Sequence, residues 1–149
     1  MRLVAFIASI CLATPAIADP AAHSRALYGT VAAGASTFAE LLDRAATAPA
    51  EAAAGLVDEV RRPVNRADEA WMAAMIEAGP DVFLPFFPCR SAASSLEAMA
   101  DDFAAFLLGE TERPDIDLDL GYFREDFTRC ELALDVDVTF PDVATALNE

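Results

Sequence analysis

Residues 115–140 read DIDLDLGYFREDFTRCELALDVDVTF, and this stretch decides between an all-helical chain and one with a C-terminal sheet. Ile116, Leu118, Leu120 and Tyr122 alternate with Asp115, Asp117, Asp119 and Gly121. Leu132, Leu134, Val136, Val138 and Phe140 alternate with Glu131, Ala133, Asp135, Asp137 and Thr139. A period of two is the pattern of a half-buried strand. The same letters also place Phe123, Phe127, Cys130, Leu134 and Val138 on one helical stripe. If the two runs paired, three aspartates would face two across the ladder, and like charges directly opposed destabilise a sheet. A helix over 121–134 is the preferred reading, with short extended flanks; an α+β chain ending in a hairpin is the alternative.

Upstream, the helical period is clearer. Ser94 to Leu108 carries Leu96, Met99, Phe103, Phe106 and Leu107 on one stripe, with Asp101 and Asp102 opposite. Ser94 and Glu97 have the spacing of a capping box, and Gly109 marks the stop. Residues 22–47 hold Leu27, Val31, Ala35, Phe38, Leu41, Leu42 and Ala45 at helical spacing, interrupted by Gly29 and Gly34, which either weaken the helix or let a neighbour approach. Residues 49–62 and 63–78 repeat the pattern, and Pro63 either opens a third helix or interrupts one long one. Between them and Ser94 lies GPDVFLPFFPCR (79–90), whose three prolines predict an irregular loop. Phe83, Phe86 and Phe87 either plug the open end of a helical core or form an exposed apolar contact site. The fold expected is mostly α, a bundle of four to five helices.

The chain has 149 residues, 25 acidic and 10 basic side chains, every basic one arginine, with one histidine and three cysteines. One domain is the natural count at this length. Met1-Arg2, the apolar run Leu3–Ala13 and the small-residue ending Ala16-Ile17-Ala18 form a secretory signal peptide with cleavage after Ala18. That run is too short to span a bilayer, which takes about 20 residues. The mature chain, residues 19–149, then holds 25 acids and nine arginines, for a formal charge of −16. It is expected to be periplasmic or secreted, with no membrane insertion after cleavage. In an oxidising compartment the two remaining cysteines, Cys89 and Cys130, are expected to pair.

Acidity is uneven: residues 97–149 contain 15 acids and three arginines, against 10 acids and six arginines in residues 19–96. Such a field repels nucleic acid and anionic lipid and speeds encounter with a basic protein. Asp115, Asp117, Asp119, Asp135 and Asp137, with the three phenylalanines, are the candidate partner-binding residues. Asp115-x-Asp117-x-Asp119 also resembles the opening of an EF-hand calcium loop, and a low-affinity calcium site is the alternative reading. The loop's sixth position is Leu120 rather than glycine and its twelfth is Asp126 rather than glutamate. Arg61, Arg62 and Arg66 form the one basic cluster, suited either to local ion pairs or to an anion. No nucleophile elbow, phosphate loop, dinucleotide fingerprint or haem-attachment motif is present. The expected function is therefore an exported, non-enzymatic binding or accessory protein, of the inhibitor or immunity type, contacting a basic partner through its acidic C-terminal third.

Overall fold

A computed structural model describes residues 19–45, 47–112 and 116–147. The expected signal peptide and Asp115 lie outside the described residues. Five α-helices follow one another: α1 (Pro20–Ala45), α2 (Ala50–Ala78), α3 (Phe87–Leu107), α4 (Ile116–Leu134) and the short α5 (Pro141–Leu147). A 3₁₀ segment, Pro80–Phe86, joins α2 to α3, and no strand occurs among the described residues.

The first four helices run up, down, up and down, as their cross-links record. Arg44 near the end of α1 pairs with Glu59 early in α2 at 3.3 Å, while the Trp71 indole N–H late in α2 donates to Ser24 early in α1 at 2.9 Å. Arg90 at the start of α3 meets Asp68 of α2 at 2.9 Å, and Asp101 of α3 meets Arg61 of α2 at 3.0 Å. Cys89 in the first turn of α3 is bonded to Cys130 near the end of α4, with Cα atoms 4.6 Å apart. The expected cysteine pair is therefore present. Leu27, Val31, Leu41, Val60, Val64, Leu96 and Leu134 form the buried core together with Phe123 and Phe127.

Helix wins over strand in residues 116–134 because the stripe of Phe123, Phe127, Cys130 and Leu134 faces α3, and Cys130 is tied there by its partner. The alternating leucines are left outside: Leu118, Leu120 and Tyr122 are all exposed. At the other end, Asp135 takes φ 55°, Val136 donates back to the Glu131 carbonyl and Asp135 to that of Leu132. This is a Schellman closure made with aspartate in the left-handed region where glycine is usual. Residues 136–140 are irregular, so neither expected strand forms.

Of the two readings of Pro63, the one long helix is the outcome, and two other expectations change. Residues 49–62 and 63–78 are one helix, with Pro63 inside it, unable to supply a hydrogen bond to the Glu59 carbonyl. The proline-rich stretch 79–90 is regular: Pro80 opens the 3₁₀ segment and Pro88 falls in the first turn of α3, where a missing amide hydrogen costs nothing. Consequently α3 starts seven residues before Ser94, and Ser94 is an exposed residue within the helix rather than its cap. Gly109 does end α3, at φ 73°, with Glu110 donating to the Ala105 carbonyl.

The two glycines of α1 play different parts. A Cβ at Gly34 would lie 3.0 Å from Leu96 and 3.2 Å from Val64, so at Gly34 α1 comes close to both α2 and α3. A Cβ at Gly29 would meet nothing within 4 Å. Gly29→Ala is expected to stabilise the fold by about 1 kcal/mol through helix propensity. Gly34→Leu is expected to destabilise it by about 1–3 kcal/mol through overpacking. Denaturant melts of the two variants check the opposite signs.

Candidate functional site

Around the bundle, α1 packs on α2, α2 on α3 and α3 on α4, but α4 meets α1 chiefly at one end. That end is closed by specific contacts. The Tyr28 ring stacks on Phe127 at 5.1 Å, and the Arg25 guanidinium donates to the Leu134 carbonyl at 3.4 Å. At its centre is Glu131, a fully buried carboxylate. It accepts hydrogen bonds from the Tyr28 hydroxyl at 3.2 Å, from the Thr139 amide at 3.0 Å and from the Thr139 hydroxyl. Burial, and then the negative charge of Glu131, push the Tyr28 phenol above its ordinary range.

The chain after α4 folds back over this end as a strap. Phe140 packs edge-on against Phe127 at 6.2 Å, the Arg124 guanidinium lies 4.9 Å over the Phe140 ring, and Arg124 pairs with Asp142 of α5 at 2.7 Å. Glu131 therefore joins three parts of the fold, α1, α4 and the strap.

Beyond Tyr28 the seam opens. A cleft of about 380 Å³ is lined by Tyr28, Ala32, Ala35, Ser36 and Ala39 of α1, Phe123 and Phe127 of α4, and Thr139 and Phe140 of the strap. A second, of about 260 Å³, is lined by Ala35, Phe38, Ala39 and Leu42 of α1, Leu96 and Met99 of α3, and Leu120 and Phe123 of α4. Ala35, Ala39 and Phe123 belong to both, so the two clefts adjoin and line up as a groove along the α1–α4 seam. Its cause is local: α1 turns alanine and serine toward α4, side chains too short to close the gap. From Tyr28 to Leu42 the groove follows α1 for about 21 Å, at 1.5 Å per residue.

Of the residues singled out by sequence, Cys89 and Cys130 are joined, Asp115 lies outside the described residues, and the others are distributed over several parts of the fold. Asp117 lies in the first turn of α4, and its side chain is outside the described ones; positions 117 and 119, two apart in a helix, fall on opposite faces. Asp119 is half-buried and engaged. Among the described residues no group of three histidine, cysteine or acidic side chains could hold a metal ion. Asp135 and Asp137 are both exposed on the strap. Phe83 is fully buried against Trp71, at 5.0 Å, and Phe87 packs on the same indole at 5.4 Å, so these two plug the end of the bundle. Phe86 is half-buried, and the large apolar residues exposed on that segment are Val82 and Leu84.

The basic cluster is largely spent on ion pairs. Asp58 accepts from Arg61 at 2.7 Å and from Arg62 at 2.6 Å, and Arg61 also reaches Asp101. Arg62 and Arg66 line an open depression that also contains Asp58 and Glu59, so any anion there competes with two resident carboxylates.

What sequence reasoning missed is Glu131 and the groove. Glu131 stands four residues after Phe127 on the buried side of α4, and a charged residue at that spacing was the available signal. For the groove it was the run of small residues Ala32, Ala35, Ser36 and Ala39 on one side of α1.

Carboxyl protonation sets an acid-side stability optimum. Burial, then the charges of Asp68 and Asp101, raise the Glu97 carboxyl above its ordinary value, and burial raises Asp126. The folded chain then binds more protons than the unfolded one between the ordinary carboxyl range and these raised values, so stability falls as pH rises through that window. Asp58, hydrogen-bonded by Arg62 and Arg61, is held low, as is Asp142, where desolvation is outweighed by the Arg124 hydrogen bond and charge together with the Asp142 and Val143 amides. These two act oppositely, adding stability above the ordinary aspartate range that is lost as pH falls through their lowered values. From these groups the melting temperature is expected to be highest near the ordinary carboxyl range, about pH 4, and to fall on both the acid and the alkaline side of it, as calorimetry across that range would show.

Fold and site define a disulfide-tied four-helix bundle with one open apolar seam. Comparison with protein-family models, with curated proteins and with solved structures returned no match. The functional reading rests on the chain's own chemistry.

Proposed function

We propose that this chain is an exported, non-enzymatic binding or accessory protein that contacts a basic partner protein through its acidic C-terminal third. The observation that carries this reading is the charge asymmetry: residues 97–149 hold 15 of the 25 acids and only three of the arginines. Asp102, Asp135 and Asp137 of this third are exposed, available to a partner in solution, while Asp101 and Asp142, also exposed, are paired with Arg61 and Arg124. Of its arginines, Arg124 and Arg129 are each paired with a carboxylate, Asp142 and Glu125, which leaves the local excess strongly negative. A field of this sign raises association rates with cationic proteins and is screened by salt. Export to the periplasm or beyond is supported by the expected targeting segment and by the cysteine pair. No described helix is long and apolar enough to cross a membrane.

Immobilised mature chain, challenged with an envelope extract at about 50 mM and about 500 mM salt, tests the reading. A defined basic protein retained at low salt, released at high salt and rebound after purification is expected. Retention of acidic proteins alone, or of none, would remove the reading.

A further inference from the structure

The apolar groove between α1 and α4 is empty of any segment of the described chain, and its chemistry specifies an occupant. We propose that it seats an amphipathic cationic helix of the partner, an inference that rests on the basic-partner reading above and names the element of the partner that docks.

Geometry supplies the first argument. The groove follows α1 for about 21 Å, the length of a helix of about 14 residues. Between the larger Tyr28, Phe38 and Leu42, its α1 wall presents Ala32, Ala35, Ser36 and Ala39, and small side chains at a helix contact allow the close axial approach that packed helices adopt. Leu42 and Leu120 stand at the open end, 37% and 41% exposed, on opposite walls. Two partly exposed leucines flanking an apolar channel are placed to grip anchors spaced i, i+3 or i+4, and i+7 on an entering helix.

Charge supplies the second. Glu40 and Asp43 are exposed near the Leu42 end of α1. At the Tyr28 end, Asp137 is exposed on the strap, and its negative charge reaches the Tyr28 phenol together with that of Glu131. Of the nearby cations, Arg124 is paired with Asp142, while Arg25 donates to the neutral Leu134 carbonyl and keeps its charge. An apolar floor with acid at both ends fits a helix that is apolar on one face and basic on the other. The same charge argues against a second copy of this chain, which would bring a formal −16 against a formal −16. It also argues against a fatty-acid carboxylate.

The test uses mature full-length chain and a fluorescein-labelled synthetic helix of about 14 residues, with leucines on one face and arginines on the other, read by anisotropy at about 20 mM and about 500 mM salt. A second peptide carries glutamine in place of each arginine. Two variants block the groove: Ala39→Trp fills the stretch common to both clefts from an exposed position, and Leu120→Arg puts a like charge at the mouth. Circular dichroism melts establish that each is folded, and the exposed site of Leu120→Arg keeps the test open if Ala39→Trp is not. Expected is binding of the arginine peptide that weakens at least about tenfold at high salt and at least about tenfold in either folded variant, a loss of about 1.4 kcal/mol or more. Salt-sensitive binding indifferent to both variants would overturn the groove while leaving the basic-partner reading standing. Binding of both peptides alike, blocked by the variants but insensitive to salt, would overturn the cationic occupant and that reading together, leaving an apolar-chain site. No binding of the arginine peptide at low salt would overturn both.

Discussion

Replacing Cys89 and Cys130 together by alanine is expected to lower the unfolding free energy by about 4 kcal/mol. The bond closes a loop of sequence separation 41, and the chain-entropy relation gives that figure for a loop of this size, before any relaxation at the buried site. Both sulfurs lie in the core at about 1% exposure, so the variant also leaves two small voids. For a domain of about 130 residues, 4 kcal/mol corresponds to a fall in melting temperature on the order of 15 °C. The effect should be uneven in space. Helix α4 is held at this end by the disulfide to α3 and by the Tyr28 and Glu131 contacts to α1, and along the groove its α1 side is unpacked. Hydrogen exchange in the variant should therefore lose protection first in α4 and the strap, while α1 and α2 keep theirs. Equal melting temperatures for parent and variant would mean that the bond adds nothing to the folded state.

The second large effect centres on Glu131. Glu131→Ala leaves the Tyr28 hydroxyl and the Thr139 amide and hydroxyl without their acceptor, and each buried orphaned donor costs about 1–3 kcal/mol. Because Thr139 can turn to solvent, the total expected is about 3 kcal/mol. Glu131→Gln keeps one oxygen acceptor and should cost about 1 kcal/mol. Urea melts of the two variants give the ordering, and Tyr28 supplies an independent spectroscopic check. Its phenol is raised first by burial and then by the Glu131 charge, so removing that charge in either variant should bring its alkaline titration back toward the ordinary tyrosine value. If both variants melt like the parent and the titration is unmoved, Glu131 does not hold the strap.

How far the sequence carried the fold is clearest where two patterns competed. In residues 115–140 the period of two and the period of 3.6 are both present in the letters, and charge opposition favoured the helix. What could not be read was that α4 begins at Ile116 and leaves Leu118, Leu120 and Tyr122 exposed; that outcome depends on which face meets α3 and the bond at Cys130. The proline-rich segment misled for a different reason. Proline is excluded from helix interiors but favoured in first turns, and three prolines read as a loop only if their positions relative to helix starts are unknown. Likewise Ser94 and Glu97 have the spacing of a cap, but α3 had already begun at Phe87, and Glu97 instead lies beside the side-chain amide of Asn65 in α2.

The candidate site was less legible because it is made by what is missing. In the sequence Ala35 is one more position on the apolar stripe of residues 22–47, and Ala32 and Ala39 carry no signal of their own. Only the placement of α4, displaced from α1 beyond Tyr28, turns that alanine face into a groove. The acidic third was visible from composition alone, but its tie to the groove runs through the strap, which turns at Asp135 and returns Thr139 to Glu131.

The most direct measurement of the central claim is a map of backbone amide chemical shifts in the mature chain as the arginine-faced peptide is added at low salt. Acidic attraction guiding a helix into the seam predicts perturbations along Tyr28–Leu42 and Leu120–Phe127 and in the strap near Thr139, with Arg61, Arg62 and Arg66 on the far side of α2 unmoved. Perturbations absent altogether, or clustered on α2 and α3 with the α1–α4 seam silent, would contradict it.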